Sequence, residues 1–353
     1  MVSPKPRSGA RFDRCAICFS NTPGDRVPPR LTAHVANHRS LFALKSPRIG
    51  CVKYLNARPL IRGWSGNVTS DSPAALCAQL ACGNLDVALV SSFEFLRNPV
   101  YRIVDDVSIS SAGPVYSVFV AHRGNISEVE EIELDPAAGT SGNLLRCLLA
   151  ELNLNPRLLG KDQLERRAQR EVLGSAGCQP AVAGSLPATP RGTPRAAKLT
   201  RPSRQAAETD RLTAYAPQTP RSKSPGDARL LIGDQAIRFR QSHPELRFWD
   251  LGEQWKKLVD LPFVYALWLI RPEVADVRTI ADRLRARRDE NLVDIHKLIA
   301  EERQFDPDFC SRYYREHLRF SFGEREKRGL QTFAKLCAKH GLIHQGEIEF
   351  ALV

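Results

Sequence analysis

The chain has 353 residues, 42% of them apolar, and a formal net charge of +12, which gives room for two lobes or two domains of ordinary globular composition. Residues 1–47 carry +6 of that charge and residues 174–228 carry +5, leaving the remainder near neutral; this excludes a basic surface for specific nucleic-acid recognition on the folded part. No apolar run approaches the ~18 residues of a membrane span, and no unbroken apolar stretch follows the basic N-terminus, so neither a membrane segment nor a secretory signal is expected.

Residues 1–47, rich in Pro, Arg and Ser, are expected to form a disordered basic extension. Cys15, Cys18, His34 and His38 have finger-like spacing, but Pro23, Pro28 and Pro29 occupy the stretch where a finger needs an apolar helix, so no metal site is expected. From Arg48 onward short β-prone runs alternate with helices. Residues 48–54 read as a strand ending in the turn Asn56-Ala57-Arg58-Pro59. Ser72 caps a helix with Pro73 in its first position, running to Cys82 and stopped by Gly83. Residues 85–90 form a buried strand ending in Ser91-Ser92, and 93–97 a short helix. After Gly113-Pro114 comes a strand at 115–121. Another at 131–134 leads through Gly139-Thr140-Ser141-Gly142 into an apolar helix at 143–152.

A charged helix at 164–173 precedes residues 174–228, whose eight prolines and missing apolar period mark a low-complexity insertion. Such a loop adds little closure entropy. The strand at 229–232 ends in a Gly233-Asp234 turn. A helix at 250–259, a strand at 261–271 and helices at 279–287, 292–303, 308–314 and 323–340 complete the chain. This alternation predicts an α/β fold with a parallel-rich sheet flanked by helices. The nine cysteines are odd in number, and Cys51, Cys77, Cys82, Cys147 and Cys337 sit in apolar contexts, which reads as buried thiols in a reduced, cytoplasmic chain.

Four strand ends carry polar groups: Tyr54-Leu55-Asn56, Val90-Ser91-Ser92, Thr140-Ser141 and Gly233-Asp234. A fifth polar turn, Gly113-Pro114-Val115-Tyr116-Ser117, enters a strand. Ligands of open α/β sheets sit beyond the carboxyl ends of strands, and helix starts bearing Ser or Thr suit carboxylates and phosphates. The same residues also serve as plain helix caps. Their convergence on one cleft points to a small anionic ligand.

The run Arg48-Ile49-Gly50 to Tyr54-Leu55-Asn56-Ala57-Arg58-Pro59-Leu60 resembles the opening of the chorismate dehydratases of the futalosine route to menaquinone. Gly83-Asn84-Leu85-Asp86-Val87-Ala88-Leu89-Val90-Ser91-Ser92, Gly113-Pro114-Val115-Tyr116-Ser117-Val118, Thr140-Ser141, Leu230-Leu231-Ile232-Gly233-Asp234 and Leu261-Pro262-Phe263-Val264-Tyr265 are similar to its later blocks. The resemblance spans residues 48–173 and 229–340. It implies the two-lobed type II periplasmic-binding-protein-like fold with the ligand cleft between lobes. Lobe one is then expected at 48–122 plus 264–353 and lobe two at 123–263, with the insertion hanging from lobe two.

The same resemblance implies chorismate as substrate, water as leaving product and 3-[(1-carboxyvinyl)oxy]benzoate as aromatic product, a hydro-lyase reaction without metal or organic cofactor. It places the catalytic polar groups at Asn56 and Ser117. Ser91, Ser92, Thr140, Ser141 and the Gly233 turn are expected to grip the substrate carboxylates, and Arg58 is either an anion clamp or a structural arginine. Asp234 is either the base or the group that orients its turn or a substrate hydroxyl. No matched strand tip carries His, Lys or Cys, so a substrate carboxylate is the other candidate base. Trp255, Phe263 and Trp268 lie in apolar runs that read as core before they read as stacking groups. A non-catalytic anion-binding protein of the solute-receptor fold is the alternative, and the sequence leaves a homodimer open.

Overall fold

The computed structural model describes residues 46–135, 137–160 and 227–353. The N-terminal extension with Cys15 and Cys18, the helix expected at 164–173 and nearly all of the 174–228 insertion lie outside these residues.

Two five-stranded sheets carry the fold. In the first, β1 (Ile49–Gly50) pairs in parallel with β2 (Val68–Thr69) and β3 (Val87–Ser91), while β10 (Phe263–Ile270) runs antiparallel between β3 and β4 (Arg102–Ser111). The second has the order β7 (Arg157–Leu159), β6 (Glu131–Glu133), β8 (Asp227–Ile232), β5 (Val118–His122), β9 (Arg247–Asp250). Here β6 is parallel to both neighbours and β5 antiparallel to both of its own. The sheets are therefore mixed rather than parallel-rich. The antiparallel strands β5 and β10 are those by which the chain enters the second sheet and returns from it.

The position of β5 corrects the division expected after residue 122. Val118–His122 pairs in the second sheet, so the first crossover is the segment 112–117. Asp227 and Ala228, read as the end of the insertion, already belong to β8. Strand β4 was not expected, because Asp105-Asp106 and three serines break its apolar alternation; Ser108, Ser110 and Ser111 are nevertheless buried. The expected strand at 48–54 shrinks to two residues, since beyond Gly50 the chain leaves its partners for a 3-10 turn (Leu55–Ala57) and a one-turn helix α1 (Arg58–Ile61), whose start Pro59 suits.

Helix α2 (Pro73–Ala81) begins as its sequence dictates: the Ser72 hydroxyl accepts the Ala75 amide at 3.3 Å and Pro73 opens the first turn. Helices α3 (Ser92–Arg97) and α4 (Gly139–Glu151) follow strand ends, as does α5 (Gly233–Ser242), which replaces the expected Gly-Asp turn. Asp250 caps α6 (Leu251–Val259), the second crossover. Then come α7 (Val277–Val293), α8 (Ile295–Glu301), α9 (Pro307–Arg312), a π-turn at Tyr313–His317 and α10 (Glu324–Lys339).

Trp255, Trp268, Phe263 and Phe333 are fully buried, with Phe263 edge-on to Trp255 at 5.1 Å and to Phe333 at 4.9 Å. Such aromatic pairs add to the burial of their own area. α10 comes so close to the crossover that a Cβ on Gly329 would stand 2.1 Å from the Pro262 carbonyl oxygen. Cys51, Cys147, Cys310 and Cys337 are buried free thiols, whereas Cys82 is exposed, contrary to its apolar context. Among the described residues no helix is long and apolar enough to cross a membrane, and no group of three His, Cys, Asp or Glu side chains could hold a metal ion.

Candidate active site

A cavity opens between the two sheets. It takes its walls from the segment after β1, the ends of β3 and β8, the 112–117 crossover, the start of α4 and the middle of β10. It encloses about 670 Å3 of space counting its open mouth. Asn56, Ser91, Ser117, Thr140, Ser141 and Gly233, all singled out from sequence, line it. Ser92, Arg58 and Asp234 do not.

The start of α4 forms one wall. Thr140 and Ser141 are buried in its first turn, and no side chain caps it. The Gly139 and Gly142 amides are taken by the Ala137 and Ala138 carbonyls. By the geometry of a helix start, the amides between them lack partners inside the helix and carry its positive end. The Thr140 hydroxyl is already spent: it donates to the Tyr265 carbonyl at 3.2 Å, accepts the Phe93 amide at 3.3 Å and meets the Ser91 hydroxyl. The hydroxyl expected to grip a carboxylate is therefore engaged within the protein. Ser92 gives its proton to the Val264 carbonyl at 2.7 Å. At a strand-to-helix junction adjacent side chains point different ways, so Ser91 faces the cavity and Ser92 the core.

The 112–117 crossover forms the second wall. Asp250 accepts the Val115 amide at 3.0 Å and the Tyr116 amide at 2.8 Å while capping α6 through Glu253 at 3.1 Å. One carboxylate thus ties the two crossovers together. Burial pushes the Asp250 carboxyl above its ordinary range, and the three amides pull the other way. Tyr116 sits at φ +68°, a strained conformation for a bulky residue, held by this carboxylate and by Arg240, whose guanidinium lies 4.2 Å from the ring centre. The next residue, Ser117, is fully buried, and its hydroxyl accepts a hydrogen bond from the Tyr313 phenol at 2.7 Å.

Asn56 and Tyr54 form the third wall. Asn56 Oδ1 is buried without a hydrogen-bond partner, an unusual state for an amide oxygen. The Tyr54 ring lies across Gly233, where a Cβ would meet it at 3.0 Å, and Gly233 has φ +64°, so this turn requires glycine. The Gly233 amide donates to the Ser117 carbonyl at 2.9 Å.

The charged candidates serve the frame. Asp234 Oδ1 accepts the Leu55 amide at 2.8 Å, and burial raises its carboxyl above 3.8. Arg58 pairs with Glu302, a carboxylate whose side chain is 1% exposed. Of the two roles left open for Arg58, this pair is what a structural arginine makes. Trp255 and Trp268 belong to the core and not to the cavity. Tyr54, Asp250, Tyr265 and Tyr313 were missed as site residues. Tyr54 adjoins the Leu55-Asn56 pair and could have been read from it. The others lie in apolar or charged runs that look structural.

The sequence profile of a family described as menaquinone biosynthesis matches residues 47–174 and 197–339. The chain belongs to that family. The second matched block begins at residue 197, inside the segment read as an insertion. Chorismate dehydratase from Thermus thermophilus is 27% identical over 308 residues, covering 81% of this chain and 93% of that protein. Among solved structures, protein AF1704 from Archaeoglobus fulgidus is 16% identical with a TM-score of 0.52, covering 84% of this chain and 98% of its own. The alkanesulfonate-binding protein SsuA from Xanthomonas axonopodis pv. citri, bound to MOPS, is 14% identical with a TM-score of 0.51, covering 85% and 94%. These two likenesses concern the fold, which is two-lobed and periplasmic-binding-protein-like. In this member of the menaquinone biosynthesis family the cavity lies between the two sheets.

Proposed function

We propose that the protein is a hydro-lyase that removes water from chorismate to give 3-[(1-carboxyvinyl)oxy]benzoate. The observation that carries this reading is the composition of the cavity. Its described lining offers hydroxyls, an amide and a helix start, and no carboxylate, histidine or lysine. The likeness to a chorismate dehydratase and the membership in a menaquinone biosynthesis family support it.

Chorismate carries two carboxylates and a ring hydroxyl. Breaking the ring C–O bond and a neighbouring C–H bond releases one water and completes an aromatic ring, so the step is strongly downhill and needs no oxidant. Such a reaction asks for geometry and charge stabilisation more than for a strong protein base. The α4 start receives one carboxylate. Ser117, whose oxygen already accepts from Tyr313, turns its own proton toward the leaving hydroxyl, and Asn56 Oδ1 accepts from the substrate. The Asp234 carboxylate is occupied by the Leu55 amide, which leaves a substrate carboxylate as the base; it takes the ring proton and passes it to the departing hydroxide. Incubation of the purified protein with chorismate, followed by chromatography, tests this. Appearance of the aromatic product supports it, and tight binding with chorismate recovered unchanged favours a receptor.

A further inference from the structure

We propose that Tyr313 is a positioning residue for this reaction, whose hydroxyl, by donating to Ser117 Oγ, obliges Ser117 to present its own proton to the substrate. The inference rests on the elimination reading above.

A serine hydroxyl has one proton, two lone pairs and a rotor. Left alone, it presents either a donor or an acceptor to a ligand. Here the rotor is biased. Tyr313 and Ser117 lie 196 residues apart in sequence, both are fully buried, and the phenol donates to Ser117 Oγ at 2.7 Å. With a lone pair engaged in that direction, the Ser117 proton is free to turn toward the cavity that Ser117 lines. Tyr313 itself is absent from that lining, so it acts through Ser117.

The phenol is built to stay in place. It opens the π-turn Tyr313–His317, a rare element that recurs at functional sites. Its ring stacks on Phe309 at 5.6 Å and 15°, with Tyr314 and His317 on other sides. Its neighbour Tyr314 anchors the turn by donating to the Leu55 carbonyl at 2.9 Å, one residue before Asn56. The π-turn is thus tied to both the Ser117 and the Asn56 walls. Burial raises the phenol's ionisation well above its ordinary range, outweighing the opposing hydrogen bond to Ser117, so it remains a donor. A phenolate would accept from Ser117 and reverse the polarity of the pair.

The test compares chorismate turnover and thermal unfolding for the unaltered protein, Tyr313→Phe, Ser117→Ala and the double variant. Loss of one positioning hydrogen bond predicts that Tyr313→Phe lowers kcat about tenfold and changes KM less than about twofold. In the Ser117→Ala background the same substitution has no further effect on kcat, whereas a merely structural role lowers it equally in both backgrounds. Undiminished kcat in Tyr313→Phe, or equal losses in the two backgrounds, overturns the positioning role while turnover by the unaltered protein preserves the functional reading. Should Tyr313→Phe not fold, the double variant, in which neither partner is left unpaired, is compared with Ser117→Ala; a lower kcat in the double variant overturns the inference and an equal one supports it. Chorismate left unchanged by the unaltered protein overturns the reading and the inference together.

Discussion

Asp234 holds Leu55: its Oδ1 accepts the Leu55 amide at 2.8 Å across 179 positions of sequence. The carboxylate stands in the first turn of α5, on the second sheet, and the amide belongs to the turn that follows β1 in the first. The bond links segments of the two sheets, one residue from Asn56. It fixes the Asn56 turn against the second sheet, and Asp234 is not among the residues that line the cavity.

Asp234→Asn keeps an acceptor oxygen for that amide. Turnover of chorismate is expected to stay within about fivefold of the unaltered protein. Asp234→Ala orphans the Leu55 amide and is expected to lower stability by about 1–3 kcal/mol in denaturant unfolding. A loss of several hundredfold in a well-folded Asp234→Asn variant would restore Asp234 as the base.

Asp250→Ala removes the α6 cap and the acceptor for the Val115 and Tyr116 amides. The expected cost is about 2–4 kcal/mol, with a fall in kcat because Ser117 follows directly. Asp250→Asn retains one acceptor oxygen and is expected to fall between the two. Unfolding and turnover measured on the same samples check both effects.

Gly233→Ala places a Cβ 3.0 Å from the Tyr54 ring at a backbone φ of +64°. Strain of about 1–2 kcal/mol is expected, and the displaced ring narrows the cavity. KM for chorismate should therefore rise along with the stability loss. A variant with unchanged KM contradicts the placement of Tyr54 in the substrate space.

Tyr265, Tyr313 and Tyr314 are all pushed above the ordinary phenol value of 10.0 by burial. The unfolded chain releases these protons near that value and the native state holds them longer. Above it the native state binds more protons, so stability falls as pH rises, by up to about 1.4 kcal/mol per pH unit for each phenol. Below it these groups contribute no slope. Tyrosinate absorbance should appear together with unfolding, and Tyr314→Phe should flatten the alkaline slope.

Much of the cavity was legible in sequence because strand tips advertise themselves. Asn56 and Thr140-Ser141 follow β-prone runs and Ser117 enters one, and each breaks the apolar pattern, so position and chemistry coincide. What escaped notice comes from the rest of the chain. Tyr313 reaches Ser117 from a helical tail whose aromatics look like packing, and Asp250 reads as a helix cap while it also holds a distant crossover. Arg58 and Ser92 misled for a geometric reason: Ser92 adjoins and Arg58 lies two residues from a cavity residue, yet the local turn rotates the side chain to the Val264 carbonyl or to Glu302. Strand β4 and helix α5 were hidden because acids, serines and arginines interrupt their apolar periods, and tertiary pairing overrides such interruptions. The mixed sheets follow from strands that cross between sheets, a property of topology that alternation of elements does not encode.

The most direct measurement is the fate of chorismate in the presence of the purified protein and of its Ser117→Ala variant, with the product identified by mass and by its aromatic absorbance. The account predicts loss of one water per chorismate, catalysed by the unaltered protein and slowed about a hundredfold in Ser117→Ala. Chorismate that is bound but recovered intact, or dehydration that proceeds undiminished without the Ser117 hydroxyl, would contradict it.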